Sequence, residues 1–201
     1  MTMPLSACVS ALREARGDRD IVITSMGSSR EWMALGATHP LDLVYVPSSM
    51  GQAPSLGLGL ALACPERRVI VCNGDGSMLM NLGALASITA AGVSNLVVCL
   101  FDNGVYEVTG AQPTPGAARG RTDATSIDWL GIARACGFRS LGRYSDLAEW
   151  QRDVRDVLRA PGPGFAVLDV APVPGAVGPR SPGPGAERAH RFMIALGRRA
   201  P

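Results

Sequence analysis

Apolar runs alternate with stretches of helical periodicity along nearly the whole chain. Residues 4–16 carry apolar positions at helical spacing and predict an amphipathic helix. Residues 20–24 (DIVIT) form a short β-branched run between polar residues and predict a strand. Further strands are predicted at 41–46 (LDLVYV), 68–73 (RVIVCN), 95–101 (NLVVCLF), 138–141 and 165–170. Helices are predicted over 53–64, 79–91, 126–136 and 146–158, and the cluster Ser25, Met26, Gly27, Ser28, Ser29 offers a serine N-cap for one more. RVIVCN is apolar throughout, as strands covered on both faces are. Strands alternating with helices give an α/β fold: a doubly wound, mostly parallel sheet with helices on both faces.

Beyond residue 171 the pattern changes. The chain is dense in Pro and Gly to about residue 185, and residues 186–196 (AERAHRFMIAL) then regain helical spacing. This divides the chain into one domain over 1–171 and a segment over 172–201 whose helix packs on that domain or on a partner.

Composition narrows the chemistry. With 201 residues, 47% hydrophobic and 18% charged, the chain has the makeup of a folded protein. A net charge of +2 is too small for a nucleic-acid surface. All 19 basic residues are Arg, which excludes Schiff-base lysine chemistry and a phosphate loop ending in Lys. The five cysteines (Cys8, Cys64, Cys72, Cys99, Cys136) are odd in number and far apart, so neither a zinc site nor a disulfide framework is expected; Cys72 and Cys99 read as core residues. Arg and acids enter within the first twenty residues, and no apolar run nears the ~20 residues of a membrane span. A cytoplasmic protein without a membrane partner is expected.

Candidate chemistry gathers where strands end. In an open parallel sheet, ligands bind beyond the carboxyl ends of the strands, and four such ends carry polar or glycine clusters: 25–29, 48–51, 74–77 and 102–106. Gly74-Asp75-Gly76-Ser77 follows a buried strand and precedes a helix. Its glycines allow close backbone approach, and the helix start presents free N–H groups to a diphosphate. The Asp75 carboxylate would repel that diphosphate unless a cation lay between them, and Asn103 ends the next strand with a neutral oxygen for the same ion. A Gly-Asp-Gly turn alone is common; the pair at this separation is far more specific.

GDGS followed by an Ala/Leu helix, an apolar strand and DNG resembles the thiamine diphosphate motif, with Asp102 where the first Asn of that motif often stands. The resemblance implies thiamine diphosphate and Mg²⁺ as cofactors. The metal would be bound by the Asp75 carboxylate, the Asn103 side chain and the Val105 carbonyl. Gly74, Gly76, Ser77 and the amides near Tyr106 would hold the diphosphate. Ser48-Ser49-Met50-Gly51 resembles the family's turn in which a large apolar residue wedges beneath the bent cofactor; Met50 would be the wedge, and the Ser48 carbonyl would accept from the cofactor's amino group. The run from VPSSMG to DNGVYEVTGAQPT, with Ser29-Arg30-Glu31 and the C-terminal tail, is similar to sulfopyruvate and phosphonopyruvate decarboxylases.

The resemblance implies a 2-oxo acid decarboxylase that lacks one part. The glutamate that activates the cofactor belongs to a separate pyrimidine-binding domain in this family, and neither Glu31 nor Glu107 is assigned that role. A β-type subunit is therefore expected, paired with a pyrimidine-domain α-type subunit, as α2β2. A carboligase of the acetolactate or acyloin type and a non-catalytic partner subunit remain as alternatives. His39 and His190 read as surface residues. Gln112 and Thr114, after the metal loop, face either substrate or a simple turn.

Overall fold

A computed structural model describes residues 2–115, 117 and 126–197. Residues 116 and 118–120 of the Pro/Gly-rich stretch at 112–120, and the end of the terminal segment from residue 198, lie outside the described residues. Six parallel strands form the sheet: β1 (Ile21–Ser25), β2 (Asp42–Tyr45), β3 (Val69–Gly74), β4 (Leu96–Asp102), β7 (Ser140–Tyr144) and β8 (Gly164–Asp169), in the order β2-β1-β3-β4-β8-β7. The chain steps from β1 to one side and returns to place β3 on the other, so a topological switch point lies between β1 and β3. Crevices at such points are where ligands settle.

Strands β1, β3, β4 and β8 are buried along nearly their full length because helices cover both faces. Alternate side chains divide between the two layers. Val22, Ile70, Cys72, Val97, Cys99 and Leu168 meet α1 (Leu5–Ala15), α2 (Gly27–Ala34) and α7 (Leu147–Arg159), with Trp32 and Trp150 at the centre. Ile21, Ile23, Val71, Val98, Leu100 and Val167 meet the opposite layer. That layer holds α3 (Ala53–Ala63), α4 (Asp75–Leu79), α5 (Gly83–Ala90), α6 (Trp129–Cys136) and α8 (Gly185–Ala195). Helix α3 lies so close to β3 that a Cβ on Gly57 would come within 2.4 Å of Val71. The Ala/Gly-rich sequence of α3 is what permits that approach.

Three local departures from the sequence pattern matter for the site. The helix expected over 79–91 is shortened to α5, which starts at Gly83, and a separate short helix, α4, precedes it, starting directly at Asp75. Between the two, Asn81 Nδ2 donates to the Gly51 carbonyl (3.2 Å) and lies within reach of Ser55 Oγ (3.4 Å), so tertiary bonds replace helical ones. Helix α2 is capped by Met26, not by a serine; Ser28 Oγ instead bonds Ser25 and the Cys72 carbonyl, tying β1 to β3. Finally, β5 (Val105–Tyr106) and β6 (Gln112–Pro113) form a small antiparallel hairpin too short for any periodicity to announce.

Candidate active site

The carboxyl ends of β1, β3 and β4 border a cavity of about 70 Å³ that opens to solvent. Of the residues proposed from sequence, Met50, Gly74, Asp75, Gly76, Ser77, Asn103, Val105 and Tyr106 line it. Asp75, the first residue of α4, is 2% exposed. Its Oδ2 accepts from the Gly104 backbone N–H and from the Thr114 hydroxyl, both at 3.1 Å. Burial, and secondarily the charge of Asp102, pushes its carboxyl up to about 6. The Gly104 and Thr114 donors are both neutral.

The hairpin holds the remaining oxygens around that carboxylate. Asn103 Oδ1 accepts from the Val105 N–H (3.0 Å), and Thr114 N–H closes onto the Gly104 carbonyl (3.0 Å). The Tyr106 ring then presses on the start of α4: a Cβ at Gly76 would stand 2.6 Å from it, so only glycine fits. Thr114 therefore belongs to the site, whereas Gln112 is exposed and bonds back to Thr109.

The turn 48–51 stands across the cavity. Met50 lines the space and is 39% exposed. The other three residues hold the turn. Ser49 N–H donates to the Tyr45 hydroxyl (3.3 Å), Ser48 Oγ meets Met26 Sδ (3.0 Å), and Gly51 N–H donates to Ser77 Oγ (2.9 Å). Gly51 has φ 85° and is packed against Met80 and Asn81, so its glycine identity is required twice over. Ser77 thus joins the β3 end to the turn as well as lining the cavity.

Two further cavity residues have settings that the sequence did not specify. Met26 has φ 52° and ψ −118°, a conformation costly for a bulky residue, at the abrupt junction of β1 and α2. Glu107 is bound at both carboxylate oxygens, to Arg30 Nη2 (3.3 Å) and to the Val173 backbone N–H (2.6 Å). Its partners lie 77 and 66 positions away, which no local pattern can report. Glu31 pairs with Arg30 (2.9 Å) outside the cavity lining. His39 accepts from the Leu41 N–H (3.1 Å) at the opposite end of β2, and His190 is exposed on α8. Among the described residues no group of three or more His, Cys, Asp or Glu side chains could hold a metal, and Cys72 and Cys99 are buried with their thiol pKa values raised by burial. None of the helices among the described residues is long and apolar enough to cross a membrane.

A family model described as thiamine pyrophosphate enzyme, C-terminal TPP binding domain, matches residues 25–170. The chain is 35% identical to phosphonopyruvate decarboxylase of Streptomyces viridochromogenes over 84% of its own length and 40% of that protein. It is 41% identical to sulfopyruvate decarboxylase subunit beta of Methanothermobacter thermautotrophicus, over 64% of this chain and 62% of that one. To the corresponding Methanocaldococcus jannaschii subunit it is 33% identical, over 75% of this chain and 74% of the relative. It thus spans less than two thirds of the first two relatives. A solved Rhodococcus jostii thiamine diphosphate-dependent 4-hydroxybenzoylformate decarboxylase superposes with a TM-score of 0.67 at 19% identity, over 85% of this chain and 33% of that one, which bears on fold alone. The crevice at the switch point and the matched span coincide, and the chain belongs to the thiamine pyrophosphate enzymes, of which it carries the C-terminal TPP-binding domain.

Proposed function

We propose that this chain is the cofactor-binding subunit of a two-subunit, thiamine diphosphate- and Mg²⁺-dependent enzyme that decarboxylates a small 2-oxo acid of the sulfopyruvate or phosphonopyruvate type. The observation that carries the reading is the buried Asp75 carboxylate, gathered with Asn103 and the Val105 strand under Tyr106, with Met50 across the cavity. Relatives named phosphonopyruvate decarboxylase and sulfopyruvate decarboxylase subunit beta support the substrate class, and the subunit naming supports a partner.

The residues present suit the group. One carboxylate, one amide oxygen and one backbone carbonyl make an all-oxygen set for a hard cation that keeps its remaining positions for phosphate and water. A Cβ on Gly74 would meet no atom within 4 Å and would project into free space, which leaves room for a diphosphate against the backbone. Asp75, Asn103 and Val105 would hold the metal. Gly76, Ser77 and the Tyr106 amide would bind diphosphate oxygens, and Met50 would prop the cofactor from below. When bound, the cofactor supplies the electron sink for carbon–carbon cleavage. The protein's share is to orient it, exclude water and neutralise charge.

The activating glutamate would come from a pyrimidine-domain subunit, with α2β2 as the assembly. Co-expression with such a subunit, followed by a 2-oxo acid screen with and without aldehyde acceptors, tests the reading. CO₂ release and aldehyde formation by the complex alone are expected, and Asp75→Ala should abolish Mg²⁺-dependent cofactor binding. Cofactor binding retained in Asp75→Ala, or full activity in a monomer of this chain, overturns it; a coupled product in place of an aldehyde makes the enzyme a carboligase.

A further inference from the structure

Helix α8 grips the outer edge of the sheet just where the chain turns toward the cavity. Arg188, in its first turn, donates from Nη1 to the Val44 carbonyl (2.6 Å) and from Nη2 to the Val46 carbonyl (2.5 Å). Val44 lies on β2, the edge strand, and Val46 directly follows it with its N–H donating to the Val44 carbonyl (3.0 Å), so the chain turns at the strand's end where Arg188 holds both carbonyls. A planar guanidinium fork serves both carbonyls at once in a fixed geometry. Phe192 and Leu196, farther along the same stretch, are buried in the core cluster that includes Leu41, so the guanidinium is carried on an anchored support.

The residues after Val46 are Pro47, Ser48, Ser49, Met50 and Gly51. Downstream, the turn is fixed by Ser77 and Asn81, which bond the N–H and carbonyl of Gly51. Upstream, the two carbonyls that lead into it are held by Arg188. We propose that Arg188 is a positioning residue for the cofactor site: by pinning the chain at Val44 and Val46 it sets where Met50 enters the cavity. The inference rests on the thiamine diphosphate reading, which gives Met50 a ligand to bear on.

The test uses the full chain with its partner subunit and has two arms. The first is amide hydrogen exchange of the turn, and the second is calorimetric titration with thiamine diphosphate and Mg²⁺. Losing one charge-assisted hydrogen bond changes an equilibrium by about tenfold or more. In Arg188→Met, exchange over residues 48–52 should quicken by about that factor while residues 104–106 keep wild-type rates, and the cofactor dissociation constant should rise about tenfold. Methylguanidinium should restore both readouts in Arg188→Ala. Unchanged exchange over 48–52, or faster exchange with unchanged affinity, overturns the inference. So does a general loss of protection with no rescue, which would make Arg188 a support of the fold alone. A wild-type complex that binds no cofactor defeats the site reading itself, and the exchange arm distinguishes that failure because it needs no cofactor.

Discussion

Asp75 is a carboxyl group in a setting that favours its neutral form. Its pKa is raised to about 6, mainly by burial, so the sign of its effect on stability is fixed. A raised carboxyl stabilises the fold below the unfolded-state pKa, and that contribution is lost as pH climbs through about 6. Above that pH, ionised Asp75 costs the metal-free chain on the order of 3 kcal/mol. Asp75→Asn should therefore raise the stability of the metal-free protein by ~1–2 kcal/mol at pH 8 and by almost nothing at pH 4, in denaturant melts at both values. Equal effects at the two pH values would mean that the charge is not the source of the penalty. Met50 shows the same division between fold and function. It is 39% exposed, so Met50→Ala should cost less than ~1 kcal/mol of stability. On the proposed reading, in which Met50 props the cofactor, the same change should nonetheless lower kcat by about tenfold or more, the worth of ~1.4 kcal/mol of transition-state stabilisation.

Among the elements, the β5–β6 hairpin and the turn 48–51 do the positioning, and they differ in how visible they were. The six strands and their order of appearance could be read because buried parallel strands announce themselves as unbroken apolar runs. The cavity residues on Gly74–Ser77 and at Asn103 were equally legible, since a polar cluster directly after such a run marks the carboxyl edge. The hairpin was hidden because each strand is two residues long and is held by Asp75, which lies about 30 positions away in sequence. The separation of α4 from α5 was hidden for a related reason, as it depends on Asn81 reaching back to Gly51. Glu107 belongs to this group too. Glu107→Ala would leave Arg30 with Glu31 as its remaining carboxylate partner and the Val173 N–H without its acceptor, so a loss of about 1–3 kcal/mol is expected in thermal or denaturant melts. Glu107→Gln, which keeps an acceptor for Val173, should lose less. Equal losses would assign the stabilisation to packing.

At the scale of the whole molecule, charge is absent where it would be expected on an outer surface. Helix α3 (APSLGLGLALA) and helix α5 (GALASITA) contain no charged residue, although both lie on the outside of the sheet. Leu62 is 56% exposed, and Met80, in the segment between α4 and α5, is 48% exposed. Arg, Asp and Glu are concentrated elsewhere, as on α7 (LAEWQRDVRDVLR), whose exposed residues include Arg152, Arg155, Asp156 and Arg159. A protein working alone gains nothing from leaving such a face uncharged, whereas a subunit that covers it on assembly does. Met80 on this face packs against Gly51 of the turn 48–51, so on the proposed two-subunit reading a partner seated here would lie beside the cavity. Leu62→Glu combined with Met80→Glu should change the melting temperature of the isolated chain by only a few degrees, because both side chains are already about half in water. The same pair should weaken association with the pyrimidine-domain subunit by a hundredfold or more, since two carboxylates would have to be buried unpaired. Sedimentation of the mixed subunits reads that difference directly. Wild-type association by the double variant would place the partner elsewhere and leave the uncharged face without an explanation.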